Sequence, residues 1–530
     1  MSARAVSEPA IARVVDPVAL AVAVGLGAVA LAADLVTGGD VGATVGLVLA
    51  VGVLALVWVI PLRWSVTGLL VLGVTMEAPY EAFAQLQWRT PWNIIGQVLL
   101  GNLNLTTHVS AMKFSGFDLL LLYLLVVLGV RRARGNDLDV RGSVPLARPM
   151  MIGVLISLAT MLALWAYGLA NGGSFFESLL QIQRLVYAVL LMVLMHGAYR
   201  GSRDLGSLGL ALVGSAIYRA LLATFIHLRV RLPNGDHLAC STTHADSRLF
   251  AAALLLLIVM MSERVRGSLH WSRFLAAGVI LLGMVLNHRR LVWVALGGGL
   301  LVVALISTWT PLKRRLARGV LISLPVVLLY LGAGWDNSSA TLFRPVATVR
   351  SILDSKSDGS ARWRDLENMN LALNISAHPF WGVGFGHEYV EYILLPDVSQ
   401  VYPRFKFVPH NSLVALFLFA GPVGFAGVFA MLLTTVFLAA RTYHRSAQPS
   451  IRAAALLSIV LIYLHLNQSY GDIGVIEWVT TFTLAPAMLL AGKLSVESGA
   501  WHWVPRQSSL QFLARSRARV WAPGTPGGPA

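Results

Sequence analysis

The stretch "HNSLVALFLFAGPVGFAGVFAMLLTTVFLAA" (410–440) contains no Asp, Glu, Lys or Arg. A helix of roughly 20 mostly apolar residues crosses a hydrocarbon core about 30 Å thick. This run is longer, so it begins above the bilayer or lies tilted. A titratable imidazole, His410, stands at its lip beside Asn411. Either Asn411 or Ser412 merely caps a helix there, or the polar residues face a site at the mouth of a bundle.

Composition extends the membrane reading to the whole chain. Of 530 residues, 56% are hydrophobic and 12% charged, with mean hydropathy +0.70. Soluble domains carry about 25% charged and 45–50% apolar residues. We read fourteen candidate spans, at 17–37, 41–60, 64–77, 116–130, 149–170, 179–199, 205–228, 245–262, 274–288, 290–308, 319–333, 410–440, 453–468 and 475–492. The third and eleventh are short, so the expected fold is an all-α polytopic membrane protein of 12–14 transmembrane helices. Backbone groups left unpaired in lipid are costly, which is why helices are expected. The parts are a transmembrane bundle (1–333), an outer loop (334–409), C-terminal spans (410–492) and a basic tail (493–530). The lone cysteine, Cys240, allows neither an internal disulfide nor a thiolate metal cluster.

The net charge of +16 suggests nucleic acid until its distribution is read. One set of alternate loops holds Arg131, Arg132, Arg134, Arg141 and Arg148; Arg200 and Arg203; Arg264, Arg266 and Arg273; Lys313, Arg314, Arg315 and Arg318; and Arg441, Arg445 and Arg452. The opposite short loops near 38–40, 171–178 and 468–474 have no Lys or Arg. The asymmetry predicts cytoplasmic N- and C-termini and a lipid bilayer, not nucleic acid, as partner. The first span is read as a retained helix. The tail "RQSSLQFLARSRARVW" (506–521) suits an interfacial helix or a disordered basic segment. No repeat relates the two halves, which weighs against a repeat-built transporter.

Two outer segments are long, 77–115 and 334–409, and such loops tend to be functional or disordered. In the second, Leu366, Met369 and Leu373 give helical spacing over 362–376, and Gly382, Gly384 and Gly386 read as a turn.

Some arginines break the topology rule. Arg184 and Arg248 lie near outer span ends, where snorkelling and function weigh equally. Arg219 lies inside a span, where an ionisable group is a functional candidate. Scarce acidic partners favour an anionic ligand for it over internal pairing. Arg289 and Arg290 form an outer turn. The five outline a positive pocket, and guanidinium forks suit phosphate or pyrophosphate oxygens. Asn467, Gln468, Tyr470 and Asp472 crowd another outer turn, more simply read as solvated than as sugar-binding. Glu77 and Glu81 are weak metal candidates, and neither a metal nor a cofactor is expected. "GVGFG" (382–386) lacks the strand-to-helix context of a nucleotide loop.

Three pieces of the chain resemble the O-antigen ligase and polymerase superfamily of lipid-linked glycan transferases. These are Arg364 followed by "HPFWGVGFG" (378–386), "HNSLVALFLFAGPVGF" (410–425) and the arginine turn "NHRR" (287–290). The resemblance implies a GT-C-like helical fold at the outer face of the bacterial plasma membrane. It implies inverting, metal-independent transfer of a glycan from a polyprenyl-pyrophosphate carrier to an acceptor hydroxyl. It makes His410 the base, with Arg289 or Arg290, and Arg364, at the pyrophosphate or the adjoining glycan. Arg362 competes with Arg364, and Asn368 stands where the family often has an aromatic. The chemistry agrees: fixed guanidinium groups stabilise a departing pyrophosphate, and an imidazole suits proton abstraction near neutral pH. A transporter or flippase for an anionic or lipid-linked solute is the alternative. A peptidoglycan-type polymerase, resting on Asp397 or Asp354, is a third.

Overall fold

The computed structural model describes residues 41–76, 91–104, 114–135, 142–231, 241–265, 270–309, 311–336, 359–398 and 404–501, with isolated residues in 25–35 and 343–350. Glu77, Glu81, Arg141, Cys240, Asp354, most of the first predicted span and the basic tail beyond Trp501 lie outside them, whereas the start of that tail continues the last helix to Glu497. The described residues are helical, without strands; one isolated bridge joins Asn102 and Ser115.

In chain order the helices are α1 Val41–Val57, α2 Leu62–Thr75, α3 Pro91–Leu100, α4 Gly116–Ala133, α5 Arg148–Ala170, α6 Phe175–Ala198, α7 Leu205–Ile226, α8 His244–Ser262, α9 His270–Leu286, α10 Leu291–Ile306, α11 Pro311–Trp335, α12 Gly359–Ala377, α13 Ser412–Val428, α14 Ala430–Arg445, α15 Pro449–Gly471 and α16 Trp478–Glu497. Among the described residues, eight helical segments are long and apolar enough to cross a membrane, and α2, α9 and α10 are shorter apolar helices. By this measure the expected fourteen spans are not all reached, although a helix lies at each predicted span that is described.

α16 and α15 form the bundle's centre. α16 packs on α6, α14 and α15, while α8 packs on α15, α10 and α7. Gly73 and Gly298 admit the side chains of Phe482 and Tyr463, because a Cβ at either position would overlap them. α11 stays at the periphery, its apolar Val320, Leu321 and Ile322 all exposed, as suits a helix whose solvent is lipid.

The long apolar run divides at two places. Asn411 caps α13, its side chain accepting from the Val414 N–H at 3.2 Å. Gly421 then leaves helical geometry (φ 62, ψ 175) just before Pro422, which has no N–H for the Leu418 carbonyl. The chain after α12 fills this gap: Val383 N–H donates to Leu418 O (3.1 Å) and Gly384 N–H to Phe419 O (2.9 Å). This contact explains the three glycines of 382–386, all at positive φ. A Cβ on Gly382 would sit 2.3 Å from Leu418 O, one on Gly384 would sit 2.5 Å from Gly168 Cα, and one on Gly386 would sit 2.7 Å from Ser174 O. Gln181 on α6 secures the same loop, its Oε1 accepting Gly386 N–H (2.7 Å) and its Nε2 donating to Phe407 O (2.8 Å).

α12 is the helix expected at 362–376, but its buried face differs from the expected apolar one. Met369 and Leu373 are exposed, whereas Trp363, Glu367, Asn370, Leu371 and Asn374 are buried. Segment 390–393 has no strand to pair with, and its backbone groups facing α12 need partners. Asn374 therefore bonds both backbone groups of Val390, and Asn370 both of Ile393, at 2.7–2.9 Å. Side-chain amides here replace a β-ladder.

Candidate functional site

α8, α10, α13 and α16 begin at one end of the bundle, where α15 finishes, and α12 lies over them. Their ends gather a polar cluster around His410.

His410 precedes α13, with its side chain 24% exposed. Its backbone N–H donates to Glu367 Oε2 at 3.0 Å, and its Nδ1 lies 3.5 Å from the same oxygen. The Glu367 side chain is fully buried. Trp363, one turn earlier on α12, meets the imidazole edge-on at 5.0 Å between centroids. α12 thus supplies a carboxylate that holds the loop before α13 and an indole that limits the ring's rotation.

Beside it stands a second imidazole, His244, at the start of α8. Arg289 Nη1 lies 2.7 Å from His244 Nε2, so that nitrogen accepts and the ring proton belongs on Nδ1. Asp472 Oδ2 is 3.3 Å from the same Nε2. Arg289 also reaches the Thr242 carbonyl (3.3–3.4 Å). Segment 241–243 is stitched to the end of α9: Thr242 N–H donates to Asn287 Oδ1 (2.7 Å), and Ser241 Oγ to Leu286 O (2.9 Å). His288 takes a positive φ of 57° in this turn, a conformation uncommon outside glycine, and the chain leaves it with Arg289 turned inward and Arg290 exposed.

Asp472 is buried. Burial opposes its charge, but His244, Arg364, the Ile473 backbone N–H and His410 together hold its carboxyl below the usual carboxylate range. Arg289 touches His244 directly, the charge of Arg364 acts on both members of this His244–Asp472 pair, and that of Arg248 acts on Asp472 from below. Arg362 is exposed. Of the two arginine alternatives in each place, the structure groups Arg289 and Arg364 with His410.

The other arginines are engaged by the protein itself. Arg219, read as an anion ligand because acidic partners looked scarce, is bonded at both forks to Asp246 (Nε–Oδ1 and Nη2–Oδ2, each 2.6 Å) and to Thr75 O (3.2 Å). The partner stands in the first turn of α8, within the span predicted at 245–262 and 27 residues from Arg219 in sequence. Arg248 donates to Glu477 Oε2 (2.6 Å) and Thr480 Oγ1 (2.9 Å). Arg184 stacks on Trp478, its guanidinium carbon 3.2 Å from the ring centroid. None of the three snorkels: all are buried. They build the floor of the cluster.

The predicted turn 467–472 is mostly the last turn of α15 and is largely buried. Gln468, Ser469 and Asp472 are buried, and Ser412 Oγ donates to Ser469 O (3.1 Å) and accepts from Val475 N–H (3.1 Å). Tyr470 alone of the four polar residues is exposed. Asp397 is exposed in the segment after α12.

The sequence reading missed His244, Glu367, Asp472 as a charge partner, and Glu477. One signal was available: Glu367 falls three residues after Arg364 on a helix, so the two share a face.

With this geometry in hand, residues 250–429 match the O-antigen ligase family model. The match covers about a third of the chain, in its C-terminal half and centre. It begins within α8 and ends just past α13, so it takes in Arg289, Arg364, Glu367, the 378–386 loop and His410. The family is one of membrane glycosyl transfer, in keeping with the helical bundle. No curated protein matches the chain.

Proposed function

We propose that the chain transfers a glycan from a polyprenyl-pyrophosphate carrier to an acceptor hydroxyl, as an O-antigen ligase or polymerase at the outer face of a bacterial plasma membrane, with both termini cytoplasmic. The observation that carries this reading is the cluster itself: an imidazole held by a buried carboxylate, beside two arginines on separate segments, within the family segment.

In the proposed step the acceptor O–H gives its proton to His410 Nε2, Nδ1 being turned to Glu367. The oxygen attacks the anomeric carbon as the bond to the pyrophosphate oxygen breaks, with inversion. Arg289 and Arg364 receive the charge that develops on the leaving pyrophosphate. Preorganised donors of this kind need no reorganisation at the moment of reaction. The His410 cluster lies at one end of the bundle, which favours an enzyme over a transporter, whose binding groups belong near the midplane.

The test is a transfer assay with purified protein and a polyprenyl-pyrophosphate glycan. Losing a general base costs about 10²–10⁴-fold, and His410→Ala is expected to lose that much while remaining folded. Arg289→Ala is expected to lose turnover as well. Full turnover in His410→Ala sinks the mechanism.

A further inference from the structure

A half-open cavity of about 660 Å³ lies between α2, α7, α8, α9, α15 and α16, with the exposed Leu210 at its rim. Its walls are mainly apolar, with Val74, Leu249, Leu457 and Phe482 among them. The space exists because α7 turns glycines towards it. A Cβ on Gly206 would meet nothing within 4 Å, and one on Gly209 would meet only Leu256 Cδ2, at 3.9 Å. A glycine inside a helix is less favourable than alanine, and the bare wall forfeits dispersion contacts as well. An apolar hole repels water. In a bilayer the surrounding solvent is hydrocarbon, which fills such a hole favourably.

The two ends of the cavity differ. At one, Val74 and Leu249 are followed and preceded in sequence by Thr75 and Arg248. The Arg219–Asp246 pair bonded to Thr75 and the Arg248–Glu477 pair thus stand between the cavity and the His410 cluster. At the other end are Ser202, Ser272, Ser450 and Arg273. The Arg273 side chain is buried, and its Nη2 donates to Val265 O at 3.1 Å. Of the described acidic residues at this end, Asp204 and Glu263 are bonded to Arg200 (2.7 Å) and Arg452 (2.9 Å), and Glu497 accepts the Ser202 N–H at 2.8 Å. Among the described residues, Arg203, Arg264 and Arg273 outnumber Glu497 and leave the balance positive.

We propose that this cavity seats a structural phospholipid, with an acyl chain in the apolar column and an anionic headgroup at Arg273. The site is separate from the His410 cluster and does not rest on the glycosyl-transfer reading. Its lipid comes from the leaflet beside the arginine-rich loops.

The test is lipid retention by the purified chain. Native mass spectrometry, with extraction and identification of the lipid, is run after exchange into a mild detergent. Wild type is expected to keep a phospholipid in stoichiometric amount, and Gly209→Phe, which fills the column, to lower retention by about tenfold or more. Gly206→Phe serves as the second filling variant if the first does not fold. Arg273→Gln, reconstituted in nanodiscs, is expected to keep a chain but to lose the preference for phosphatidylglycerol over phosphatidylcholine. Four results overturn the proposal: no stoichiometric lipid in wild type, a polyprenyl lipid in place of a phospholipid, unchanged retention in the filled variants, or an unchanged headgroup preference in Arg273→Gln.

Discussion

Asp246→Ala leaves the Arg219 guanidinium without the carboxylate that meets both its forks, in a place where the two side chains are 2% and 3% exposed. Breaking a buried pair by removing one partner costs about 3–5 kcal/mol, because the remaining charge stays buried. Arg219→Leu is expected to cost a similar amount by stranding Asp246. The double replacement Arg219→Leu with Asp246→Ala strands neither charge, so it should recover a large part of either loss. The coupling between contacting charges should exceed the roughly 0.3–0.5 kcal/mol error of additivity. The assay is equilibrium unfolding of the four proteins in mixed micelles, paired with donor binding. An anion-binding Arg219 behaves in the opposite way: Arg219→Leu would keep its stability within about 1 kcal/mol, as surface ion pairs do, and lose donor affinity. That result would refute the internal pairing as the reason for Arg219.

Three further outcomes are expected. Glu367→Gln, which keeps size but not charge, should lower kcat while KM stays near wild type and the fold survives; a change confined to KM would remove Glu367 as the positioning partner of His410. Gly384→Ala puts a Cβ 2.5 Å from Gly168 Cα at a φ of 83°, so loss of folded protein is expected, by more than the 1–3 kcal/mol that backbone strain alone costs. Size-exclusion profiles and thermal melts check this, and a well-folded alanine variant would contradict the close approach. Asp472 has a folded pKa below its unfolded value, so its stabilisation is full above about pH 4 and fades as pH falls through the lower folded value. Asp472→Asn should therefore be less stable than wild type at pH 7, with the gap narrowing as the solution is acidified below that range; a gap that does not depend on pH would contradict the charge-based account.

Hydropathy determined much of this protein without any structure. The apolar runs, the arginine asymmetry and the helix at 362–376 are properties of neighbouring residues, because a bilayer imposes its thickness on each segment separately. The special backbone of 382–386 was legible for the same reason: three glycines in five residues announce a turn, although not what it touches. His410 was also legible, as a polar residue where a long apolar run begins.

Partnership was decided only by the tertiary structure. Glu367 reaches His410 across 43 residues and Glu477 reaches Arg248 across 229, and nothing in the local pattern around either end announces the other. The sequence therefore showed a set of arginines without showing which were already satisfied. Packing resolved that set: Arg184, Arg219 and Arg248 are drawn into the floor, because a buried charge must be paired or stacked, while Arg289 and Arg364 remain grouped with His410, His244 and Asp472. Which face of α12 is buried followed the same logic. Its asparagines turn inward because a backbone segment with no strand beside it must bond to something, a demand that exists only once α12 and residues 390–393 are brought together.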